Sequence, residues 1–127
     1  MDQNIASRIF ARIRRTGRGS VFATKDFMDI ASHETARQSL GRLAEAGTIR
    51  RLIRGFYDYP AFSTLLKAPA SPDPDAIARA IARSHGWTIL PASETALNLL
   101  GLSTQVPANW MYFSDGPSKK YRWEGVK

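Results

Sequence analysis

GSVFATKDFMDIASHETARQSLGRLAEAGTIRRLIRGFYDYP, residues 19–60, is the stretch whose reading decides the fold. A short apolar strand at 20–22 leads into a helix of little more than one turn. Thr24 is its expected cap, and Asp26 falls in the first turn, where a carboxylate suits the helix dipole. Phe27, Met28 and Ile30 supply its buried side. A tight turn at Ala31-Ser32 follows, and Ser32 caps a further helix that runs to Ala46 and stops at Gly47. Ala36, Leu40 and Leu43, continued by Ala44 and Gly47, space as its core stripe, whereas Glu34, Arg37, Gln38, Gly41, Arg42 and Glu45 lie away from it. Residues 48–53 read as a strand, Arg54-Gly55 as a turn, and 56–59 as the returning strand, stopped by Pro60.

Outward from this stretch, Ile5, Ile9, Phe10 and Ile13 give residues 4–15 the stripe of an amphipathic helix, with Arg8, Arg12 and Arg15 on its other side and Gly17 as a left-handed end. The order of elements over residues 1–62 is that of a winged helix-turn-helix, which lays one helix in a DNA groove and a basic hairpin beside it.

Residues 63–72 read as a linker. The stretch KAPASPDP holds three prolines in eight positions, too many for a helix to pass through. Residues 73–127 then form a small α+β domain, so the chain as a whole is expected to be α+β. Asp73-Pro74 is a cap followed by proline at the first helical position. The helix to His85 buries Ile77, Ala78, Ile81 and Ala82 and ends at Gly86. A strand is expected at 87–90, and a helix over 93–100 with Leu97 and Leu100 inward, closed by Gly101. Residues 110–113 and 119–123 flank SDGPS as a hairpin. Its last strand, with Tyr121 and Trp123, leaves an unpaired edge. The expectation is that the domain is incomplete and continues past Lys127, or that two copies pair there as a homodimer.

Composition narrows the function. The chain has 43% apolar residues, a net charge of +7 and no cysteine. Disulfides, thiol nucleophiles and cysteine-based zinc sites are therefore excluded. No apolar run approaches the roughly 20 residues of a membrane span, and the N-terminus has no apolar signal segment, so no membrane partner and a cytoplasmic setting are expected. Residues 1–60 hold eleven basic against six acidic residues, and residues 61–127 seven against five. The excess lies on the part read as a DNA binder, which points to a polyanion.

Arg37 and Arg42 can fork onto guanine and Gln38 can pair with adenine, while Ser32, His33 and Thr35 lie where such a helix first meets bases or phosphates. Gly41 lets the helix backbone come close to the groove or to the first helix. Arg50, Arg51 and Arg54 crowd the hairpin, and three like charges there repel unless an outside anion such as phosphate is present. Strand alternation leaves open a turn of Arg51 toward the core beside Ile49 and Ile53. The basic-aromatic alternation Lys119, Lys120, Tyr121, Arg122, Trp123 reads as one buried and one wet face of a strand. His85 reads as a helix C-terminal partner of the dipole. Asp26 with Asp29, and Asp73 with Asp75, have no histidine or second acid pair beside them, and no phosphate loop or hydrolase motif occurs. An enzyme, a metal and a cofactor are not expected.

At GRGSVF, DF and TARQSLGRLAEAGTIRRLIRGFYDYP, and again at ETALNLLGLSTQVPANWMYFSDGPSKK, the chain resembles the AbiEi-like antitoxin regulators of bacterial type IV toxin–antitoxin systems. The resemblance covers nearly the whole chain. It implies a winged helix that binds repeats in its own promoter and represses it, and a C-terminal domain that acts against a nucleotidyltransferase-like toxin. By position it carries Gln38 and Arg42 onto the recognition helix and Arg50, Arg51, Arg54 and Gly55 onto the wing. Family members continue beyond SDGPSKK with further strands. The expected function is a sequence-specific repressor that binds double-stranded DNA. The alternative is a protein-interaction module that binds a toxin or other protein, with the winged helix as scaffold.

Overall fold

Eight buried apolar side chains on three helical or turn segments and one sheet organise the first half of the chain. In the computed structural model, which describes residues 2–100 and 110–117, helix α1 (Asp2–Thr16) buries Ile9 and Ile13 against Ala36 and Leu40 of helix α2 (His33–Glu45). Phe22, Phe27, Ile49 and Tyr57 complete this core, with Leu43 packed at its margin. Ser39 is buried as well, a position the apolar spacing does not mark.

Strands β1 (Val21–Ala23), β2 (Arg50–Ile53) and β3 (Phe56–Asp58) form an antiparallel sheet in the order β1-β3-β2. Val21 pairs with Asp58 and Ala23 with Phe56, while Arg50 and Arg51 pair with Asp58 and Tyr57. A bulge then inserts one residue between Arg51 and Ile53. Alternation sends Phe22 and Tyr57 to the α1–α2 side. Val21, Ala23 and Phe56 go to the other side, joined by Leu52 and Ile53 across the bulge.

That second side is covered by helix α3 (Pro74–His85), which adds Ile77, Ala80 and Ile81. Asp73 caps α3 by accepting from the Asp75 N–H at 3.0 Å, and the helix ends at Gly86 as expected. Between β3 and α3 the proline-rich segment makes a minimal ladder, β4 (Phe62–Ser63) with β5 (Ala68–Pro69). Beyond α3, strand β6 (Ile89–Pro91) pairs antiparallel with β7 (Tyr112–Ser114), and helix α4 (Ser93–Leu99) lies between them in sequence. The Tyr112 hydroxyl donates to Asp75 Oδ1 at 2.5 Å, and burial together with that bond pushes the phenol pKa up. The whole is mixed α+β with small antiparallel sheets.

Several expectations are corrected. The segment after β1 is a 3-10 turn (Thr24–Phe27), not a capped helix. The cap position is Ala23, whose side chain makes no cap hydrogen bond, and the Asp26 carboxylate reaches back to accept from the Ala23 N–H at 2.8 Å. Met28 is exposed, because the turn is too short to carry it inward. Leu100 is also exposed. The strand near 112 pairs with β6, a long-range partner that turn chemistry does not reveal. The expected strand at 119–123, with its basic-aromatic alternation, lies outside the described residues, as do Gly101 and the side chain of Leu97.

Because α3 closes one face of the sheet, its apolar side holds the β2–β3 hairpin as well as itself. Ile77→Ala is expected to cost about 2–5 kcal/mol, as for other fully buried large-to-small changes. Urea unfolding of the full chain checks this, and hydrogen exchange is expected to quicken in β2 and β3 together with α3.

Candidate nucleic-acid interface

The outward face of α2 begins at its cap. Ser32 accepts from the Thr35 N–H at 3.3 Å, and its hydroxyl donates to Thr35 Oγ1 at 3.0 Å. These two residues are therefore engaged in starting the helix, and His33 stands exposed beside them. One turn on, Arg37 forks onto Glu34 at 3.2 and 2.5 Å, and Gln38 donates to the same carboxylate at 3.3 Å. The guanidinium holds the Glu34 carboxyl below its ordinary range. Arg42 follows, exposed and without a carboxylate partner among the described residues. A β-carbon at Gly41 would meet nothing within 4 Å, so this glycine does not serve a close approach to α1 and leaves the middle of the face open. Two arginines and two glutamates make the face electrically neutral.

The β2–β3 hairpin distributes its three arginines differently from the crowding expected of them. Arg50 is turned to the α3 side and forks onto Asp58, Nε to Oδ1 at 3.0 Å and Nη2 to Oδ2 at 2.7 Å. The Asp58 side chain is only 3% exposed and that of Arg50 30%. The mutual repulsion expected of three arginines is relieved here from within. Arg51 does share a side of the sheet with Ile49, but its guanidinium emerges over the Tyr57 ring, 5.6 Å from the centroid, with a hydrogen bond to the phenol oxygen at 3.3 Å. Arg54 stands exposed at the tip, where Gly55 takes a φ of +84° that closes the turn. The Arg50–Asp58 pair was missed. Counted back from the Arg54-Gly55 turn Arg50 falls opposite Tyr59, and only the bulge between Arg51 and Ile53 brings it into register with Asp58.

Elsewhere ion pairs tie the elements together. Arg12 forks onto Asp29 at 2.7 and 2.6 Å and donates to the Asp26 carbonyl, fastening α1 to the turn before α2. Arg83 of α3 forks onto the Asp26 carboxylate at 3.2 and 2.9 Å, and Lys25 reaches the Ser84 carbonyl. Arg79 pairs with Asp75. Thus among the described residues Arg12, Arg37, Arg50, Arg79 and Arg83 have carboxylate partners, whereas Arg8, Arg14, Arg15, Arg18, Arg42, Arg51 and Arg54 have none. All seven precede residue 55, so the uncompensated charge gathers on the first half of the fold. Among the described residues no group of three or more His, Asp or Glu is placed to hold a metal ion, and no helix is long and apolar enough to cross a membrane.

The chain belongs to a family of unknown function, DUF6088, whose model matches residues 8–124. No curated protein and no solved structure matches it.

Two outcomes follow from these pairs. Arg50→Ala strands the buried Asp58 charge and is expected to cost about 3 kcal/mol or more, whereas Arg54→Ala is expected to stay within about 0.5 kcal/mol; thermal or urea melts separate the two. The Arg12 hydrogen bonds hold the Asp29 carboxyl at about 2, below its usual 3.8. A lowered folded pKa means that the pair stabilises the fold above the usual carboxylate range and that this contribution fades as pH falls toward 2. Carboxyl NMR titration checks the value, and Asp29→Asn is expected to flatten stability over that window.

Proposed function

We propose that the protein is a sequence-specific double-stranded DNA-binding repressor, with residues 1–62 working as a winged helix-turn-helix. In this reading α2 is the recognition helix and the β2–β3 hairpin is the wing. The observation that carries it is the partition of arginine pairing: Arg42 and Arg54 stand exposed and without an ion-pair partner among the described residues, on the two elements that such a fold would present to a duplex. Phosphate contacts supply most of the affinity of such proteins and base edges the selectivity. The neutral outer face of α2 suits selection by Gln38 and Arg42 more than attraction. The resemblance to antitoxin regulators extends the proposal to an autoregulating antitoxin in the cytoplasm, with residues 73–127 directed against a nucleotidyltransferase-like toxin.

A second reading, an interaction module for a protein partner, draws on the β4–β5 connection. Leu65 is 89% exposed there, beside the exposed Phe62 and Leu66. Exposed apolar side chains grouped in this way suit contact with an apolar surface of a partner.

A footprint of the full chain on the DNA upstream of its own gene tests the first reading. Gln38→Ala or Arg42→Ala is expected to cost about 1–3 kcal/mol on the protected sequence and much less on random DNA. Arg54→Ala is expected to weaken both alike and to lower the salt slope by about one. Protection of no sequence, with retention of a protein partner that Leu65→Ser and Leu66→Ser release, decides for the second reading.

A further inference from the structure

Helix α1 ends in a cluster that the helix-and-wing reading leaves unused. The Arg14 guanidinium lies over the Phe10 ring, 5.7 Å from its centroid. Phe10 meets Tyr59 edge to face at 6.0 Å. Arg18 lies over the Tyr59 ring at 4.5 Å and donates one N–H to the Pro60 carbonyl at 3.0 Å. The result is a continuous row of contacts, Arg14–Phe10–Tyr59–Arg18, with a cation at each end. Its aromatic members are half-buried against the α1–α2 core, which fixes their planes.

The loop that carries Arg18 is built to keep it there. Gly17 and Gly19 take φ of +105° and +90°, and a β-carbon at either would meet nothing within 4 Å, so the loop is open on its outer side. The Gly19 N–H donates to the Tyr59 carbonyl and the Tyr59 N–H to the Ser20 carbonyl, pinning the loop to the end of β3. Neither Arg14 nor Arg18 has a carboxylate partner among the described residues, and Arg15 between them is also exposed and unpaired. The C-terminal dipole of α1 favours cations in its last turn. It does not account for Arg18, which lies past the helix end, or for the orientation of either guanidinium.

A guanidinium stacked on a ring keeps its N–H edges pointing outward in a fixed plane, the arrangement that suits phosphate oxygens. The cluster sits at the Tyr59 end of β3, and Arg54 at the Phe56 end. A three-residue strand separates them by about 10 Å, well under the roughly 34 Å of one turn of a duplex. We propose that Arg14 and Arg18, held on Phe10 and Tyr59, grip the phosphodiester backbone of the duplex that flanks the segment read by α2. This rests on the DNA-binding reading above. It answers a need of that reading, because the α2 face is neutral and Arg50 is consumed within the fold.

The test measures binding of the full chain to random-sequence duplexes of about one and about three helical turns (about 10 and 30 base pairs), over salt of about 50 to 200 mM. On the long duplex the Arg14→Gln/Arg18→Gln variant is expected to lower the slope of log affinity against log salt by about two, against about one for Arg54→Gln. The one-turn duplex, at about 34 Å, still spans the roughly 10 Å between the cluster and Arg54, so the double variant is expected to lower the slope there as well. Arg14→Lys/Arg18→Lys, which keeps the charge, is expected to hold the slope, and Arg79→Gln on α3 to leave it unchanged. An unchanged slope for the double Gln variant, with Arg54→Gln still lowering it, overturns the flanking grip and leaves DNA binding standing. A slope lost with the lysine variant as well overturns it too. A wild-type chain that binds neither duplex overturns both readings.

Discussion

Strand β3 is three residues long and is buried on both of its faces. Tyr57 belongs to the core under α1 and α2, and its neighbour Phe56 belongs to the core under α3. No residue of the strand is left for solvent, since Asp58 is buried as well. A sheet of three short strands is marginal by itself and becomes stable through what packs against it. Here that packing comes from both halves of the chain, and the hairpin between β2 and β3 is positioned by it. Asp58 carries the cost of this arrangement, since a carboxylate so placed must be paired, and Arg50 is the group that pairs it.

The same requirement sorts the arginines of the chain. Where an element must be fastened to another, a carboxylate meets the guanidinium: Arg12 with Asp29 between α1 and the following turn, Arg83 with Asp26 between α3 and that turn, Arg50 with Asp58 inside the hairpin. Where nothing needs fastening, the arginine is left exposed or rests on an aromatic ring, as Arg18 does on Tyr59 and Arg51 on Tyr57. A bare count of basic residues does not separate these two groups. Their partners do: among the described residues the arginines without a carboxylate all precede residue 55, whereas both described arginines beyond it, Arg79 and Arg83, are paired.

The order of helices and strands up to Pro60 was legible in the sequence because it is written locally. Ile9 and Ile13 keep helical spacing, Ser32 stands before a run with the right period, and Gly55 sits where a turn needs a positive φ. The end of α3 was legible for the same reason, with Asp73-Pro74 at its start and Gly86 at its close. What stayed hidden depends on contacts distant in sequence. The alternation of β1 and β3 predicts two faces but not that α3 covers one of them. The pairing of Ile89–Pro91 with Tyr112–Ser114 is made across α4 and leaves no turn signal. Among the candidate interface residues, exposure of Arg37, Gln38, Arg42 and Arg54 followed from helical and hairpin geometry. The inward turn of Arg50 did not, because it depends on which carboxylate lies opposite.

The bulge after Arg51 brings Leu52 and Ile53 to one side of the sheet, where both meet the α3 cluster. The hairpin is in this way mechanically joined to a helix from the other half of the chain. Displacing the hairpin would therefore uncover part of the apolar side of α3, and removing α3 would uncover Leu52 and Phe56. Segments well separated in sequence come to share one apolar cluster, and the inserted residue sets how the hairpin enters it.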